Sequence, residues 1–349
     1  MIKYLGSKRT LVPLLSSIAV AAEARSAIDL FTGTTRVAKS FKQLGASVTA
    51  VDTASYSEVF AKTWIELDST SVNQAELLDA IEELNHIPGQ AGYFTKVFCE
   101  DARYFQPHNG ERIDAIRDHI EAKYSNTWLY YPLLASLLLA ADRVDSTTGV
   151  QMAYLKSWSR RSAADLRLTD PELLPGAGRS IRGDALEVTP MLPPADLAYL
   201  DPPYNQHRYF ANYHIWETLV RWDAPDRYGI ANKRLDVRTP QTKSKFNSKP
   251  AMPLALAEII RSVPAETIVL SYNNEAWLSK DELIELLGTR GHVGSIDVDF
   301  KRYIGSQIGV YNKAGERVGS PGAKRNTEHV LIAGDKARVE RILKQVKTA

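Results

Sequence analysis

Short apolar runs alternate with amphipathic segments along this chain, and turn-forming residues follow most of the runs. Residues 27–31 and 48–52 are the first two strand-like runs. Between them, residues 36–44 have the apolar spacing of a helix, which Gly45 would end. A strand, a helix and a second strand in this order predict a parallel βαβ unit.

The next part of the chain has a helical pattern instead. Residues 57–174 are rich in helix formers, and their leucine, isoleucine and alanine positions have the spacing of amphipathic or buried helices. One strand-like run, residues 97–99, interrupts this pattern. We therefore predict a mainly helical insertion, residues 57–178, within a domain formed by residues 1–56 and 179–349.

Strand-like runs resume after the insertion. They are residues 180–184, 197–201, 267–272, 295–298 and 329–333. Strands that alternate with helical segments predict a doubly wound, mostly parallel α/β sheet. The late strands are close together in the sequence, which predicts an antiparallel hairpin at the end of the sheet.

The composition is that of an average globular protein and excludes several classes. The 349 residues are 44% hydrophobic and 24% charged with a net charge of +2, which excludes a histone-like protein but not a nucleic-acid-binding one. Cys99 is the single cysteine, so neither a disulfide framework nor a cysteine-based metal site is expected. The histidines have no paired metal-ligand spacing, and we expect no metal. No apolar run has the form of a signal peptide or a membrane span, which predicts a soluble protein of a reducing intracellular compartment.

Acidic residues stand within or at the end of four strand-like runs: Asp29, Asp52, Asp184 and Asp201. Ligands of doubly wound sheets bind beyond the carboxyl ends of the strands, where a carboxylate can accept hydrogen bonds from hydroxyl, amino or ammonium groups. For Asp52, the spacing alone leaves ribose binding and capping of the following helix as equal alternatives.

The turn after the first strand, residues 31–35, contains one glycine, Gly33, which would let a ligand approach the backbone closely. Neither the three-glycine dinucleotide fingerprint nor the phosphate-binding loop is present. The turn therefore favours a nucleoside without phosphates, although by itself it could be an ordinary turn.

The most specific local feature is Asp201-Pro202-Pro203-Tyr204, directly after an apolar strand. Consecutive prolines stiffen the backbone and donate no N–H, while the carbonyls beside them stay free as acceptors. The aspartate carboxylate and a proline carbonyl can both face a planar exocyclic amino group, and the tyrosine ring can stack on the same heterocycle. The alternative is an ordinary loop whose aromatic residue packs into the core.

This tetrapeptide resembles the DPPY motif of DNA methyltransferases that act on exocyclic amino groups. Residues 4–8 resemble the N-terminal cofactor motif of the Dam-like adenine methyltransferases, and residues 29–34 resemble their first motif with fewer glycines. Residues 183–185 resemble the acidic motif ahead of DPPY. In this order the motifs resemble those of the alpha-group, D12 class N6-adenine-specific DNA methyltransferases, and more narrowly those of the enzymes that accompany type IIS restriction systems.

The resemblance implies transfer of a methyl group from S-adenosylmethionine to adenine N6 in duplex DNA, by base flipping and direct attack. It assigns catalysis to Asp201, Pro202, Pro203 and Tyr204. It assigns cofactor binding to Tyr4, Gly6, Lys8, Asp29, Phe31, Gly33, Thr34, Asp52, Asp184 and Asp201. Asp101, which also follows a strand-like run, is the alternative to Asp184 as ligand of the cofactor's adenine. Two alternative functions remain: N4-cytosine methylation of DNA, and DNA binding without catalysis by a protein of the same fold.

Basic residues cluster between the DPPY strand and the next strand of the sheet, in residues 231–250. The predicted DNA contacts are Asn205, Lys233, Arg234, Arg238, Lys243, Lys245 and Lys249. Because this segment has little apolar content, we expect it to become ordered only on DNA. Residues 154–161 and 301–325 are two further basic stretches.

The resemblance also implies the partners. Double-stranded DNA is the expected substrate, a cognate restriction endonuclease could act in the same system, and no membrane is involved. We expect a cytoplasmic, nucleoid-associated monomer of a prokaryote, in which the helical insertion takes part in reading DNA.

Overall fold

A seven-stranded sheet forms the centre of the molecule. The computed structural model describes residues 2–301 and 325–348. The strands, including a short separate hairpin of β5 and β6, are β1 Ser26–Leu30, β2 Ser47–Asp52, β3 Gly178–Arg182, β4 Ala195–Leu200, β5 Arg227–Tyr228, β6 Lys233–Arg234, β7 Ala265–Asn273, β8 His292–Lys301 and β9 Arg325–Gly334.

The order of strands in the sheet is β3-β2-β1-β4-β7-β9-β8. The first five strands are parallel to one another, and β9 is antiparallel to both β7 and β8. The predicted mostly parallel sheet and its terminal antiparallel hairpin are therefore confirmed. Leu30 of β1 pairs with Val51 and with Leu200, so the carboxyl ends of β1, β2 and β4 meet at one edge.

Helices cover both faces of this sheet. The α-helices are α1 Val12–Ala21, α2 Arg36–Gln43, α3 Ser55–Ala61, α4 Gln74–His86, α5 Tyr93–Thr95, α6 Pro107–His119, α7 Tyr130–Val144, α8 Ala185–Val188, α9 Tyr209–Asn212, α10 His214–Arg221, α11 Met252–Ser262, α12 Lys280–Gly288 and α13 Lys336–Thr348. π-Helical turns extend α3, α5 and α6 over Lys62–Glu66, Lys96–Glu100 and Ile120–Tyr124.

The side chains of the sheet alternate between two apolar layers. In β1, Ala27 belongs to one layer, and Ile28 and Leu30 belong to the other. The layer of Ala27 also contains most of the apolar side chains of residues 57–178, so the helical segment shares its core with the sheet. The division into a domain and an insertion at these bounds stays a prediction.

One predicted strand is wrong. Val97, Phe98 and Cys99 lie in a π-helical turn, where all three are buried. Phe98 packs against the rings of Phe94 and Tyr104, with centroids 4.9 and 6.2 Å away. A short run of buried apolar residues has the same sequence pattern in a strand and in a buried helix, which is why the pattern misled here.

Gly178 allows β3 to approach both β2 and the π-helical turn that extends α3. A Cβ atom at this position would lie 2.5 Å from the carbonyl oxygen of Ile65 and 2.8 Å from that of Val48. Both oxygens belong to the backbone and cannot rotate away.

We therefore expect Gly178→Ala to lower the free energy of unfolding by about 1–3 kcal/mol, the usual cost of overpacking. Chemical denaturation measures this directly. Gly288→Ala is the matched control, because nothing lies within 4 Å of a Cβ added at the end of α12. Equal stability of the two variants would contradict this account of Gly178.

Candidate active site

The turn between β1 and α2 is held by Asp29 at the carboxyl end of β1. Its Oδ2 atom accepts hydrogen bonds from Thr32 Oγ1 at 2.9 Å and from the backbone N–H of Ala38 at 3.0 Å. Gly33 has a φ of +53°, and a Cβ there would come within 3.1 Å of the Tyr4 ring. Glycine at this position thus accommodates both the left-handed backbone and the tyrosine that lies against it.

Tyr4 ties the N-terminal segment to the residues that follow the DPPY motif. Its ring stacks with those of Tyr213 and Tyr209, at centroid distances of 4.7 and 5.3 Å. Tyr213 Oη accepts a hydrogen bond of 2.6 Å from the backbone N–H of Leu5. These contacts fix the predicted N-terminal motif beside the turn at Gly33.

Asp52 connects the end of β2 to the same turn. Its two oxygens accept hydrogen bonds from the backbone N–H groups of Gly33, at 2.8 Å, and Ala54, at 2.9 Å. Burial raises the pKa of the Asp52 carboxyl above its ordinary value, although these hydrogen bonds oppose the shift. Asp52 therefore bonds the backbone at the start of α3 and also borders the cleft described below.

The choice between Asp184 and Asp101 is decided by their positions. Asp184 caps α8, where its Oδ1 accepts a hydrogen bond of 2.9 Å from the N–H of Leu186, and it borders the cleft. Asp101 follows a helical turn and forms exposed ion pairs with Arg227 at 2.7 Å and Lys96 at 3.2 Å. Asp101 does not line the cleft, which favours Asp184 as the ligand of the cofactor's adenine.

A buried ammonium group joins the N-terminal motif to the DPPY motif. Lys8 Nζ lies 2.9 Å from Asp201 Oδ1 and 2.9 Å from Glu328 Oε1, and its side chain is 7% exposed. Burial would lower the pKa of Lys8, but the charges of Asp201 and Glu328 outweigh it and raise this pKa. Lys8 therefore stays protonated.

Asp201 responds to the same environment. Burial raises its pKa to about 6; the charge of Lys8 opposes the shift, and the charge of Glu328 adds to it. At neutral pH this carboxylate is ionised. Sequence reasoning missed Glu328, because nothing in the local pattern of β9 relates it to a lysine near the start of the chain.

The remaining DPPY residues surround this carboxylate. Pro202 is buried, and Pro203 borders the cleft. The half-buried ring of Tyr204 is tilted against that of Tyr272 at a centroid distance of 5.1 Å, and Lys8 Nζ lies 5.8 Å from its centre.

Two adjoining hollows form a cleft at this edge of the sheet. The larger is lined by both apolar and polar side chains, among them Phe31, Asp52 and Asp184, and opens to solvent. All ten residues predicted to bind the cofactor line one hollow or the other, and both hollows include Tyr4, Gly6, Phe31 and Asp201.

A buried carboxylate oxygen in the smaller hollow lacks a donor. Within the described part of the chain no group donates to Asp29 Oδ1. Burial raises the pKa of Asp29 to about 8, against the hydrogen bonds from Thr32 and Ala38. A bound ammonium group would satisfy this oxygen and favour its ionised form. The hollow thus fits the methionine end of S-adenosylmethionine.

The predicted DNA-binding residues separate into two groups. Arg238, Lys243, Lys245 and Lys249 are exposed, and Lys233 is half-buried. Arg234 is 1% exposed and forms ion pairs of 2.7 Å with Asp223 and 2.9 Å with Asp236. The prediction that Arg234 contacts DNA is wrong, because two carboxylates already bind its buried guanidinium.

The segment 231–250 is also more ordered than its composition suggested. Leu235–Arg238, Pro240–Thr242 and Lys245–Asn247 form short 3-10 helices, and Phe246 is buried with its ring 4.8 Å from that of Phe31. Phe246 and Val237 are buried and anchor the segment to the protein. The expectation that it becomes ordered only on DNA stays a prediction.

Part of this segment forms a wall of the cleft. Thr242, Ser244, Phe246 and Asn247 line the larger hollow, although no sequence pattern indicated them. Asn205 does not line it; its carbonyl accepts a hydrogen bond of 2.9 Å from Asn247 Nδ2, so it holds this wall in place.

Neither a membrane span nor a metal cluster is found in the described ranges. In residues 2–301 and 325–348, no helix has the length and hydropathy needed to cross a bilayer. The same residues contain no group of three or more histidine, cysteine or acidic side chains arranged to hold a metal ion. The basic stretch at residues 301–325 lies almost wholly outside the described residues.

The sheet is mostly parallel with one antiparallel strand, and an acid-lined cleft lies beyond the carboxyl ends of its parallel strands. The profile of the D12 class N6 adenine-specific DNA methyltransferase family matches residues 4–284. The chain belongs to this family, which confirms the resemblance drawn from the motifs.

Similar proteins include several bacterial methylases. The modification methylase StsI of Streptococcus sanguinis is 31% identical over 314 residues, which are 85% of this chain and 47% of that protein. The type II methyltransferase M.NlaIII of Neisseria lactamica is 31% identical over 286 residues, 79% of this chain and 83% of that protein. M.FokI of Planomicrobium okeanokoites is 27% identical over 311 residues, 83% and 47% of the two chains. This chain thus spans about half the length of StsI and M.FokI.

We expect Asp52→Ala to weaken binding of S-adenosylmethionine by about 1.5–3 kcal/mol, the value of a hydrogen bond to a charged group. Isothermal titration calorimetry measures the change. Glu187→Ala is the control, because Glu187 is an exposed acid close to Asp184 that does not line the cleft. Unchanged affinity of the Asp52 variant would move the ribose site elsewhere.

Proposed function

We propose that this protein methylates adenine N6 at specific sites in double-stranded DNA, with S-adenosylmethionine as the methyl donor. The observation that carries the proposal is the position of the Asp201 carboxylate. It lies at the wall of the cleft and is paired with Lys8, inside a DPPY motif.

The residues of the cleft suit each part of the cofactor. Asp29 Oδ1 and its neighbour Tyr4 would receive the methionine end, Asp52 the ribose hydroxyls, and Asp184 the adenine amino group. The apolar edge formed by Phe31 would contact the adenine ring. When bound, S-adenosylmethionine supplies an electrophilic methyl group on a positively charged sulfur.

Asp201 prepares the nucleophile. The lone pair of an exocyclic amine is delocalised into the ring, so the amino group is a poor nucleophile until its hydrogens are bound. Asp201 and the Pro202 carbonyl accept hydrogen bonds from these hydrogens, which localises electron density on nitrogen. The carboxylate then stabilises the positive charge that develops there. Correct alignment contributes further, up to roughly 7–11 kcal/mol.

The target base must leave the DNA stack to reach this carboxylate, at a cost of a few kcal/mol. Tyr204 is the side chain that we expect to stack on the extruded base, since its ring is half-buried beside Asp201. Phe210 lines the same cleft and offers a second apolar contact.

The wider setting follows from the relatives. Their names describe modification methylases and type II methyltransferases, which supports a role in restriction–modification beside a cognate endonuclease. We propose that the protein acts as a monomer on the nucleoid DNA, and that the helical segment, residues 57–178, takes part in sequence recognition.

Asp201→Ala is expected to lower the methyl-transfer rate by roughly 10²–10³-fold, because it removes the acceptor of the amino group. DNA binding should survive, since Lys8 keeps Glu328 as a partner. Asp297→Ala is the control, because Asp297 is an exposed acid on β8 that pairs with Lys280.

Mass spectrometry of nucleosides from methylated DNA identifies the product. N6-methyladenine supports the proposal, and N4-methylcytosine supports the cytosine alternative. No methylation by the wild type supports a non-catalytic DNA-binding protein.

Replacing Lys243, Lys245 and Lys249 with alanine should weaken DNA binding and flatten its dependence on salt. The slope of log affinity against log salt should fall by about 0.9 for each phosphate that is no longer neutralised. Affinity for S-adenosylmethionine should not change, since these side chains do not line the cleft. The matched control replaces Lys336, Arg338 and Arg341, of which the two arginines pair with Glu266 and Glu23 near the opposite edge of the sheet. If both triple variants had the same salt slope, DNA would be held elsewhere.

A further inference from the structure

Glu328 is a buried acid whose position is fixed by the sheet. It lies in β9, in register with Asn273 of β7 and Val298 of β8, and is 4% exposed. One carboxylate oxygen, Oε1, lies 2.9 Å from Lys8 Nζ. The other, Oε2, accepts a hydrogen bond of 3.3 Å from Asn273 Nδ2. The methyl-transfer step itself uses neither oxygen.

The described contacts of Asp201 all fall on one of its two carboxylate oxygens. In the described part of the chain, Lys8 Nζ at 2.9 Å and Ser271 Oγ at 3.4 Å both contact Oδ1. Ser271 is itself held by Tyr199 Oη at 2.7 Å. The side chain of Asp201 keeps 20% exposure, so Oδ2 is the oxygen left for a ligand.

We propose that Glu328 is a positioning residue for the catalytic Asp201. It shares the Lys8 ammonium, so that Asp201 Oδ2 stays free to accept from the target amino group and the cluster keeps a net negative charge. The inference rests on the proposed function and assigns a part in it to a residue outside the family's motifs.

Charge balance explains why a second carboxylate is needed. A buried lysine must be paired, and one carboxylate would suffice for that. If Asp201 were that single partner, its negative charge would be cancelled and its oxygens drawn towards Lys8. With Glu328 present, two carboxylates share one ammonium, and the cluster keeps a net negative charge. That charge stabilises the cation that forms as the amino nitrogen is methylated.

Among the described residues, no other group around the cluster supplies this charge. The titratable groups of that part of the chain that face Asp201 or Glu328 from neighbouring elements are Lys8, Asp29, Tyr199, Tyr204 and Tyr209. Burial raises the pKa of each of these tyrosines above its ordinary value, so they stay neutral. Asp29 is turned into the β1–α2 turn, where it binds Thr32.

Glu328→Gln tests the proposal, because the amide keeps the shape of the side chain and removes its charge. The charge of Glu328 raises the pKa of Asp201, so its removal should lower that pKa. Carbon-13 NMR of the aspartate carboxyl groups, assigned with Asp201→Asn, follows the titration in the cofactor-free protein. This readout needs no activity, so it is independent of the proposed function.

The kinetic consequence is measured separately. At pH 7.5 (roughly one unit or more above the pKa of Asp201) the variant should lose roughly 10- to 100-fold in kcat, with unchanged KM for S-adenosylmethionine. The acid limb of its pH–rate profile should move to lower pH. Asp297→Asn, which removes the same charge from an exposed site on β8, should change neither quantity.

Asn273→Ala separates charge from packing, since it removes the hydrogen bond to Glu328 Oε2 and leaves all charges in place. We expect it to leave the Asp201 titration unchanged. The proposal is overturned if Glu328→Gln leaves both the titration and kcat at the values of the Asp297 control, or if Asn273→Ala reproduces its effects. A wild type that titrates as expected but methylates no DNA would instead refute the proposed function.

Discussion

The pairing of the Lys8 ammonium is the constraint on which the site depends. A buried ammonium without counter-charges would cost several kcal/mol, so the N-terminal segment, the end of β4 and β9 must come together around it. That meeting brings Tyr4 against Gly33 and into the stack with Tyr213. One wall of the cleft is therefore built from the first residues of the chain, and Lys8 in that wall is held by Glu328 of one of the last strands.

The parallel ladder supplies the second requirement. Because β1, β2 and β4 end at the same edge of the sheet, residues far apart in the chain lie close together there. Asp29 and Asp52 then support the turn at Gly33 through hydrogen bonds to its backbone and to Thr32. The acids that line the cleft thus also hold its shape, and a substitution at either position will change both.

The parts of this site that can be predicted from the sequence are those that a few consecutive residues specify. The alternation of strands and helices, the acids at strand ends and the DPPY tetrapeptide each lie within a few consecutive residues. Glu328 could not be found in this way, since its role comes from a contact with Lys8 across almost the whole chain. The prediction for Arg234 was wrong for the opposite reason. Its local sequence is basic and polar, but Asp223 binds its guanidinium group in the folded protein. Charge along a sequence does not distinguish an exposed cation from a buried, paired one.

The segment 231–250 contains both a wall of the cleft and the lysines that we propose to bind DNA. Phe246 is buried in the wall of the cleft, while Lys245 and Lys249, on either side of it, are exposed. Asn247 bonds the carbonyls of Asn205 and His207 at 2.9 and 3.0 Å, and so joins the segment to the loop after DPPY. A ligand seated against Phe246 would therefore contact the same backbone that carries the lysines, and DNA bound there as proposed would restrain the wall of the cleft. By linkage, any preference of one ligand for a given position of this segment is passed to the other with the same free energy.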